Sequence, residues 1–166
     1  MAITSSFIYN AAKFVMLGRG SLAGQAESIA SLSLSASTSI RAAIILETHT
    51  PDASASTTTS LRAVFTSRAT AGTGTFVSQS ADIALAGANI ISTAATTVAF
   101  DASDVATPSV ATSQSIGGIL IYKSVGGVDA TSMPIALIDI GSPVTTNGAS
   151  ININWDNGVN RIFALT

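Results

Sequence analysis

Residues 115–140, SIGGILIYKSVGGVDATSMPIALIDI, form the most apolar continuous stretch of the chain and carry its clearest turn signal. The first run, ILIY at 119–122, combines β-branched and aromatic residues with a leucine. Residues 123–130 supply the glycines and polar side chains of a turn, and residues 134–140 return as a second apolar run. Because both runs are apolar on consecutive positions, both faces should be covered. The pattern predicts a long β-hairpin at the centre of an antiparallel sandwich or barrel.

Shorter strand signals follow one another along the rest of the chain. Residues 40–47, IRAAIILE, carry apolar side chains on both faces, which predicts a strand inside the sheet. Leucines alternating with serines predict a half-buried strand within residues 21–39. Turn-forming residues separate further strand candidates at 61–67, with Arg62 outward, and at 76–80, 82–85, 90–92 and 98–100. This rhythm of short strands and turns is typical of an all-β antiparallel sandwich.

The C-terminal region predicts a closing hairpin. Ile151, Ile153 and Trp155 alternate with polar residues, and Asn157-Gly158 is the signal of a two-residue type I′ turn. Residues 159–165 would then return as the partner strand. Loops are predicted at residues 49–60, 71–75, 101–113 and 141–148.

The N-terminal residues predict one short helix. Residues 4–6, TSS, offer capping side chains, and the glycines at 18 and 20 end the pattern. Between them, apolar residues recur at spacings of three and four: Phe7, Ile8, Ala11, Phe14 and Val15. A helix of about eleven residues is marginal alone, so we expect it to dock on its own sheet in preference to a neighbouring molecule. We therefore expect a single domain, residues 1–166, with a helix or arm at 1–20 and a β-sandwich at 21–166.

The composition favours a component of an assembly. Only 10% of the residues are charged, 47% are hydrophobic and 5% are aromatic, so the apolar mass is mostly aliphatic and diluted by Ser and Thr. A weakly charged surface of small side chains suits packing against other protein. The net charge is −2, with seven Lys and Arg spread along the chain, so we expect neither a nucleic-acid partner nor an anionic membrane.

Several other classes are disfavoured by the sequence. No apolar run approaches the ~20 residues of a membrane span, and the N-terminus lacks the order of a signal peptide. We expect synthesis and folding in a cytoplasm. The chain has no cysteine, which excludes a disulfide framework, a thiolate nucleophile and a sulfur-ligated metal.

Candidate catalytic residues are sparse. His49 is the only histidine and stands in a Thr/Pro loop without a triad motif, so we expect it to be solvated. GRGSLAG at 18–24 has the wrong glycine spacing for a phosphate-binding loop. Asp101 and Asp104 could lie together but lack the EF-hand pattern, and we expect them to cap or turn the loop. Trp155 is expected in the core. We expect no enzymatic activity, no cofactor and no metal.

Five segments in order resemble a family of small tailed-phage virion proteins, the capsid decoration (cement) proteins: YNAAKFVMLG, IRAAIILETHTPD, FDASDV, GGILIYKSVGGVDATSMPIALIDIG and TTNGASININWDNGVNRIFAL. The resemblance covers the chain nearly end to end and is most specific in the C-terminal third. The Ser/Ala-rich residues 21–39 depart from the family pattern, because they lengthen the segment between the first helix and the first core strand.

The resemblance implies a β-sandwich or jelly-roll-like subunit on the outer capsid surface of the virion, made in the host bacterial cytoplasm. Its partners would be itself, as a homotrimer, and the major capsid protein, whose neighbouring subunits it would bridge. One hypothesis places the contact in residues 1–16, through Phe7, Ile8, Phe14 and Val15. A second places it in the loops at 49–60, with His49, Pro51 and Asp52, and at 101–113.

Three other roles stay open at this point. A head or tail fibre module that binds a receptor would share the β-rich, Ser/Thr-rich composition. A connector or tail-terminator protein would instead form a ring at one vertex. A polysaccharide depolymerase needs a pair of carboxylates in a cleft, and the scarcity of acidic and aromatic residues argues against it.

Overall fold

A computed structural model of the chain describes residues 3, 5–16, 39–55, 62–72, 74–75, 82–95, 97–156 and 161–165. In chain order, its elements are β1 (Phe7–Ile8), α1 (Asn10–Met16), β2 (Ile40–Leu46), a 3-10 helix (Ala63–Ser67), β3 (Thr70–Ala71), β4 (Gly74–Thr75), β5 (Ile83–Ala84), β6 (Asn89–Ala94), β7 (Thr97–Asp101), β8 (Val105–Ala106), β9 (Ser115–Val125), β10 (Val128–Thr145), β11 (Asn152–Ile153) and β12 (Phe163–Leu165). The strand pairs within this described part are antiparallel, so the predicted all-β, sandwich-like fold with one short helix is confirmed.

The long hairpin predicted at residues 115–140 is confirmed as β9 and β10, and it occupies the middle of a five-stranded sheet. The strand order is β1-β10-β9-β2-β5. Gly126 and Gly127 form the turn with φ of 65° and 71°, a backbone region that glycine enters without steric cost. The prediction of a turn at 141–148 is wrong over its first half, because β10 continues to Thr145 and pairs there with Ser115.

The two faces of this sheet are covered by different parts of the chain. Ile44 of β2 lies opposite Ile119 of β9, and both border a crevice of about 250 Å³ whose other wall is formed by residues 151–154 around β11. On the opposite face Tyr122 of β9 packs edge-to-face against Phe65 of the 3-10 helix, with ring centroids 5.0 Å apart. Burial from both sides explains the continuous apolar runs of the hairpin.

The smaller sheets use strands from the second half of the chain. β12, β7 and β6 form a three-stranded sheet in that order, β11 pairs with β8, and β3 pairs with β4. The predicted closing hairpin is wrong, because Phe163 of β12 pairs with Phe100 of β7 and Ile153 of β11 pairs with Val105 of β8. Stacking of Phe100 on Phe163, at 5.2 Å between ring centroids, favours the long-range pairing.

The N-terminal helix is shorter than predicted. Phe7 and Ile8 are not helical but form β1, which pairs with Leu137 and Ala136 along the outer edge of β10. The ladder continues as the Tyr9 amide donates to the Ile135 carbonyl at 2.9 Å, so strand pairing overrides the helical spacing. α1 then packs on β10 and buries Ala11, Ala12 and Val15, as predicted for docking on its own sheet.

The strand predicted at 61–67 is wrong. The structure places a 3-10 helix at Ala63–Ser67 that buries Val64 and Phe65, and the Thr66 hydroxyl donates to the Ala63 carbonyl at 2.7 Å. Arg62 is half-buried, not outward, and its Nε donates to the Ser132 carbonyl at 3.2 Å. A tight turn with a local hydroxyl bond competes with the extended backbone that Val and Phe otherwise favour.

The other predicted segments are confirmed in part or lie outside the described residues. The strands at 40–47, 82–85, 90–92 and 98–100 correspond to β2, β5, β6 and β7, and the loop at 101–113 is interrupted by β8. The strand within 21–39, the strand at 76–80, the Asn157-Gly158 turn and the glycines that end the helix fall outside the description. One cluster of buried apolar side chains includes residues from α1, the 3-10 helix and several of the sheets.

Candidate functional site

Two of the residues predicted to contact a partner lie at one surface groove. Phe7 and Ile8 are half-buried on β1, whereas Val15 is 1% exposed and belongs to the core, so Val15 is not available for contact. The Phe14 side chain lies outside the description. The groove has a volume of about 560 Å³ and is lined by Ser6, Phe7, Ile8, Lys13, Ile138, Ile162, Phe163 and Ala164. It therefore joins both ends of the chain to the middle of the long hairpin.

Strand pairing explains how the groove is built. Ile8 lies opposite Ala136 on β10, so its side chain points to the same face of the sheet as Ile138. The Ser6 hydroxyl accepts a hydrogen bond from the Asp139 amide at 2.9 Å and fixes the segment that leads into β1. On the other side, β12 is the edge strand of the three-stranded sheet and contributes Phe163.

The groove is apolar with one charged residue at its rim among the described lining residues. Phe7 packs edge-to-face on Tyr9, with ring centroids 5.0 Å apart, which holds the Phe7 ring in place. Lys13 is exposed, and its Nζ lies 3.5 Å from the Asn10 Oδ1 of the same helix. Such a surface can bury an apolar side chain of a partner and place a carboxylate beside the ammonium group.

The sequence did not reveal the C-terminal half of the groove. Ile138 and Phe163 read as ordinary strand residues, and nothing in a local pattern shows that β12 ends beside β1. The periodic spacing of Phe7 and Ile8 was the available signal, and it located the groove while giving the wrong secondary structure.

The second predicted contact, around His49, is only partly at the surface. His49 is 8% exposed and its Nδ1 lies 3.1 Å from the Ser67 Oγ, so the expectation of a solvated histidine is wrong. Burial lowers the pKa of His49. Pro51 is half-buried and Asp52 is exposed.

The Asp52 turn is tied to the start of the helix. The Asp52 carboxylate accepts hydrogen bonds from the Ser54 amide at 3.0 Å and the Ser54 hydroxyl at 2.6 Å. Next to it, the Asn10 amide donates to the Ala53 carbonyl at 3.0 Å. The described part of the predicted loop therefore lies beside the N-terminal segment, and the two predicted contact regions are neighbours in space.

A buried ion cluster, absent from the predictions, lies on the face of the large sheet covered by the 3-10 helix. Arg68 follows that helix, and its guanidinium lies 2.7 Å from Asp82 and 2.6 Å from Asp129, with a second contact of 2.9 Å to Asp129. The Tyr122 hydroxyl donates to Asp82 at 2.7 Å. The Arg68 guanidinium also lies 4.5 Å from the centroid of the Phe65 ring.

The charges of this cluster are mutually satisfied. Burial alone lowers the pKa of Arg68, but the hydrogen bonds and charges of Asp129 and Asp82 raise it, so the guanidinium stays charged. Burial raises the pKa of Asp82, an effect that Arg68 and the Tyr122 hydroxyl oppose. Burial and the Asp82 charge raise the pKa of Tyr122, which stays a hydrogen-bond donor. The Arg68 and Asp82 side chains are each 2% exposed, so the cluster fixes structure and offers no open position for a substrate.

The aspartates considered for metal binding are engaged separately. Asp101 lies 3.4 Å from Arg161, and Asp104 accepts a hydrogen bond from the Trp155 amide at 2.8 Å. Trp155 is 8% exposed and its Nε1 donates to the Ser103 carbonyl at 3.2 Å, which confirms its predicted place in the core. Among the described residues, no three His, Asp or Glu side chains are grouped as metal ligands would be.

The described segments contain no helix whose length and apolar character would let it cross a membrane. The chain matches no protein-family model, and no curated protein and no solved structure is significantly similar to it.

Proposed function

We propose that this chain is a capsid decoration protein that binds the outer surface of a tailed-phage head, associates with itself as a trimer and bridges neighbouring major capsid subunits. The observation that carries the proposal is the groove of about 560 Å³, where Phe7 and Ile8 meet Phe163. The residues that the sequence singled out for contact thus border an apolar depression, and the resemblance to decoration proteins supplies the partner.

The groove suits a weak, repeated contact. It holds an apolar floor and the Lys13 ammonium at its rim, which is enough for one anchoring side chain with a neighbouring carboxylate on the partner. A single contact of this kind is weak, but a trimer that engages three sites on a lattice multiplies the effective affinity by restricting the second and third binding events.

The stabilising mechanism follows from mass action. A ligand that binds only the intact shell lowers the free energy of that shell relative to the burst one. Because the bridging chain spans two capsid subunits, separation of those subunits must first break its contacts. No covalent chemistry is needed, and the closed ion cluster around Arg68 supports a rigid subunit for this role.

Point variants in the groove test the proposal better than removal of residues 1–16, because that segment contributes Ile3, Tyr9 and Val15 to the core. Ile8→Lys places a charge on the apolar floor, and Lys13→Glu reverses the charge at the rim. Val128→Lys adds the same charge beside the hairpin turn, where Val128 is 49% exposed, and serves as the matched control.

Co-sedimentation with empty heads of the encoding phage is the measurement, with circular dichroism to verify folding. We expect Ile8→Lys and Lys13→Glu to weaken binding by about tenfold or more, and Val128→Lys to bind as the wild type does. Image reconstruction of the virion should place many copies over the head surface. Wild-type binding by folded Ile8→Lys would reject the groove, and copies confined to one vertex or to fibres would reject the decoration role.

A further inference from the structure

The free edge of the three-stranded sheet is the outer side of β6. β6 pairs with β7 through Asn89, Ile90, Ile91 and Ser92, and no other described strand lies on its far side. The Ile90 amide donates to the Asn89 Oδ1 at 2.9 Å and not to β7, so it points away from the sheet. A register shift follows between Ser92 and Ala94, which leaves Asn89–Ser92 as the regular part of this edge.

An apolar surface reaches this edge from the core. Ile90 lies directly opposite Phe100, and Val98 follows Phe100 on the same face of β7 at the alternating position. Phe100 is 2% exposed, whereas Ile90 is 45% and Val98 46% exposed. The buried face of the small sheet therefore continues outward as two adjacent, half-exposed aliphatic side chains.

The edge lacks the usual protection by charge. Soluble proteins commonly place Lys, Pro or inward-pointing charges on edge strands to prevent pairing with another chain. Residues 83–100, IALAGANIISTAATTVAF, contain no charged residue and no proline. A charged partner would find no complementary group here, whereas an identical uncharged strand would meet no repulsion.

We infer that β6 is a contact between two copies of this chain, formed by antiparallel pairing of β6 with the same strand of a second copy. In a twofold contact each residue faces its own counterpart or a near neighbour, so an uncharged, apolar strand is complementary to itself. Pairing would join two three-stranded sheets and cover Ile90 and Val98. The inference rests on the proposed function only in that copies associate, and it assigns pairs to β6, so that a threefold contact must use another surface.

A charge-swap experiment tests this contact. Ile90→Lys and Ile90→Glu place like charges across the twofold axis when each variant is alone, and opposite charges when the two are mixed. Val128→Lys, which changes an equally exposed valine away from β6, is the control. Sedimentation velocity over a range of protein concentrations measures the association, and circular dichroism verifies the fold.

We expect wild-type protein to form even-numbered oligomers, and each Ile90 variant alone to dissociate at about tenfold or more higher concentration. An equimolar mixture of the two variants should restore association, and Val128→Lys should behave as the wild type does. A wild-type monomer, a trimer unaffected by either Ile90 variant, or failure of the mixture to recover would overturn the inference. Binding of Ile90→Lys to heads is a separate readout, so the groove can be retained or rejected independently.

Discussion

Arg68 shows how one side chain can connect distant parts of the chain. Its guanidinium contacts Asp82 before β5 and Asp129 at the start of β10, and the Arg68–Asp129 hydrogen bonds span 61 positions. Transferring these charges from water is costly, and the attraction between them returns that cost only when the geometry is good. The cluster is therefore better understood as a device that fixes the hairpin turn against the 3-10 helix than as a large source of stability.

Removal of the Arg68 charge should be strongly destabilising. Arg68→Met leaves Asp82 buried without its cation, and we expect the free energy of unfolding in urea to fall by about 3–5 kcal/mol. Arg161→Met is the control, because Arg161 and Asp101 are each about a quarter exposed and their pair should contribute about 1 kcal/mol or less. Equal losses in the two variants would contradict this account of the cluster.

His49 should make the stability depend on pH. Its folded-state pKa lies below the ordinary value of 6.5, so the unfolded chain binds more protons than the folded one in the interval between the two values. The contribution of His49 is therefore complete above about pH 6.5 and is lost as the pH falls through the folded-state pKa.

His49→Gln tests this, because glutamine can still hydrogen-bond to Ser67 but does not titrate. We expect the variant to lose less stability than the wild type between about pH 7.5 and pH 5, as measured by urea unfolding at each pH. The carboxylates titrate in both proteins, so the difference isolates the histidine. Parallel pH profiles would show that His49 carries no linkage.

At the scale of the element, β9 depends on glycine where it crosses β2. Ile45 pairs with Gly118 and Leu46 with Ile116, so Gly117 is the extra residue of a β-bulge. A Cβ at position 117 would lie 2.7 Å from the Glu47 Cα, a backbone atom that cannot rotate away. The bulge therefore requires a residue without a side chain for the two strands to approach this closely.

Gly117→Ala should destabilise the protein by about 1–3 kcal/mol, the usual cost of overpacking. Gly72→Ala is the control, because its Cβ would meet the Ser109 Oγ at 2.9 Å, the end of a side chain that can rotate. Thermal unfolding of the two variants gives the comparison. A similar melting temperature for both would indicate that β2 yields at the bulge.

The elements also differ in how well a local pattern could predict them. β2 and the β9–β10 hairpin were predicted because both faces of their sheet are covered, which shows in consecutive apolar residues. β1 and the 3-10 helix were not, because the edge of β10 and the pocket around Val64 and Phe65 determine their backbone. Their own sequences fit a helix and a strand equally well.

At the scale of the whole molecule, the described core side chains form one continuous cluster. It includes Phe100 of the three-stranded sheet, Ile153 of β11 and Leu120 of the five-stranded sheet. Because these sheets share apolar neighbours, the loss of one exposes the buried side of another. We infer that the sheets unfold together.

Two probes in different sheets can measure this cooperativity. The chain has one tryptophan, Trp155, so fluorescence reports the region of β8 and β11, while far-UV circular dichroism is dominated by the longer strands β9 and β10. We expect coincident urea transitions for the two signals. A fluorescence change at lower urea would show that the smaller sheets unfold separately.

The candidate site was predictable only on one side. Phe7 and Ile8 were identified because an apolar segment near the chain end lacked enough length to be stable alone. Lys13, Ile138 and Phe163 were not, since their role depends on how the N-terminal segment, β10 and β12 come together. His49 and Arg68 were misjudged or missed for the same reason, because burial of a polar residue depends on its partners.

The sequence by itself determined the central hairpin, the two-sided burial of β2 and the inward position of Trp155. Each of these follows from the alternation of side chains along a strand, which is a local property. The tertiary structure alone decided the partner of β12, the ion pairs of Arg68 and the groove. These join groups as far apart as Ser6 and Asp139, 133 positions along the chain, and the order of residues contains no measure of which distant backbone edges and charges will meet.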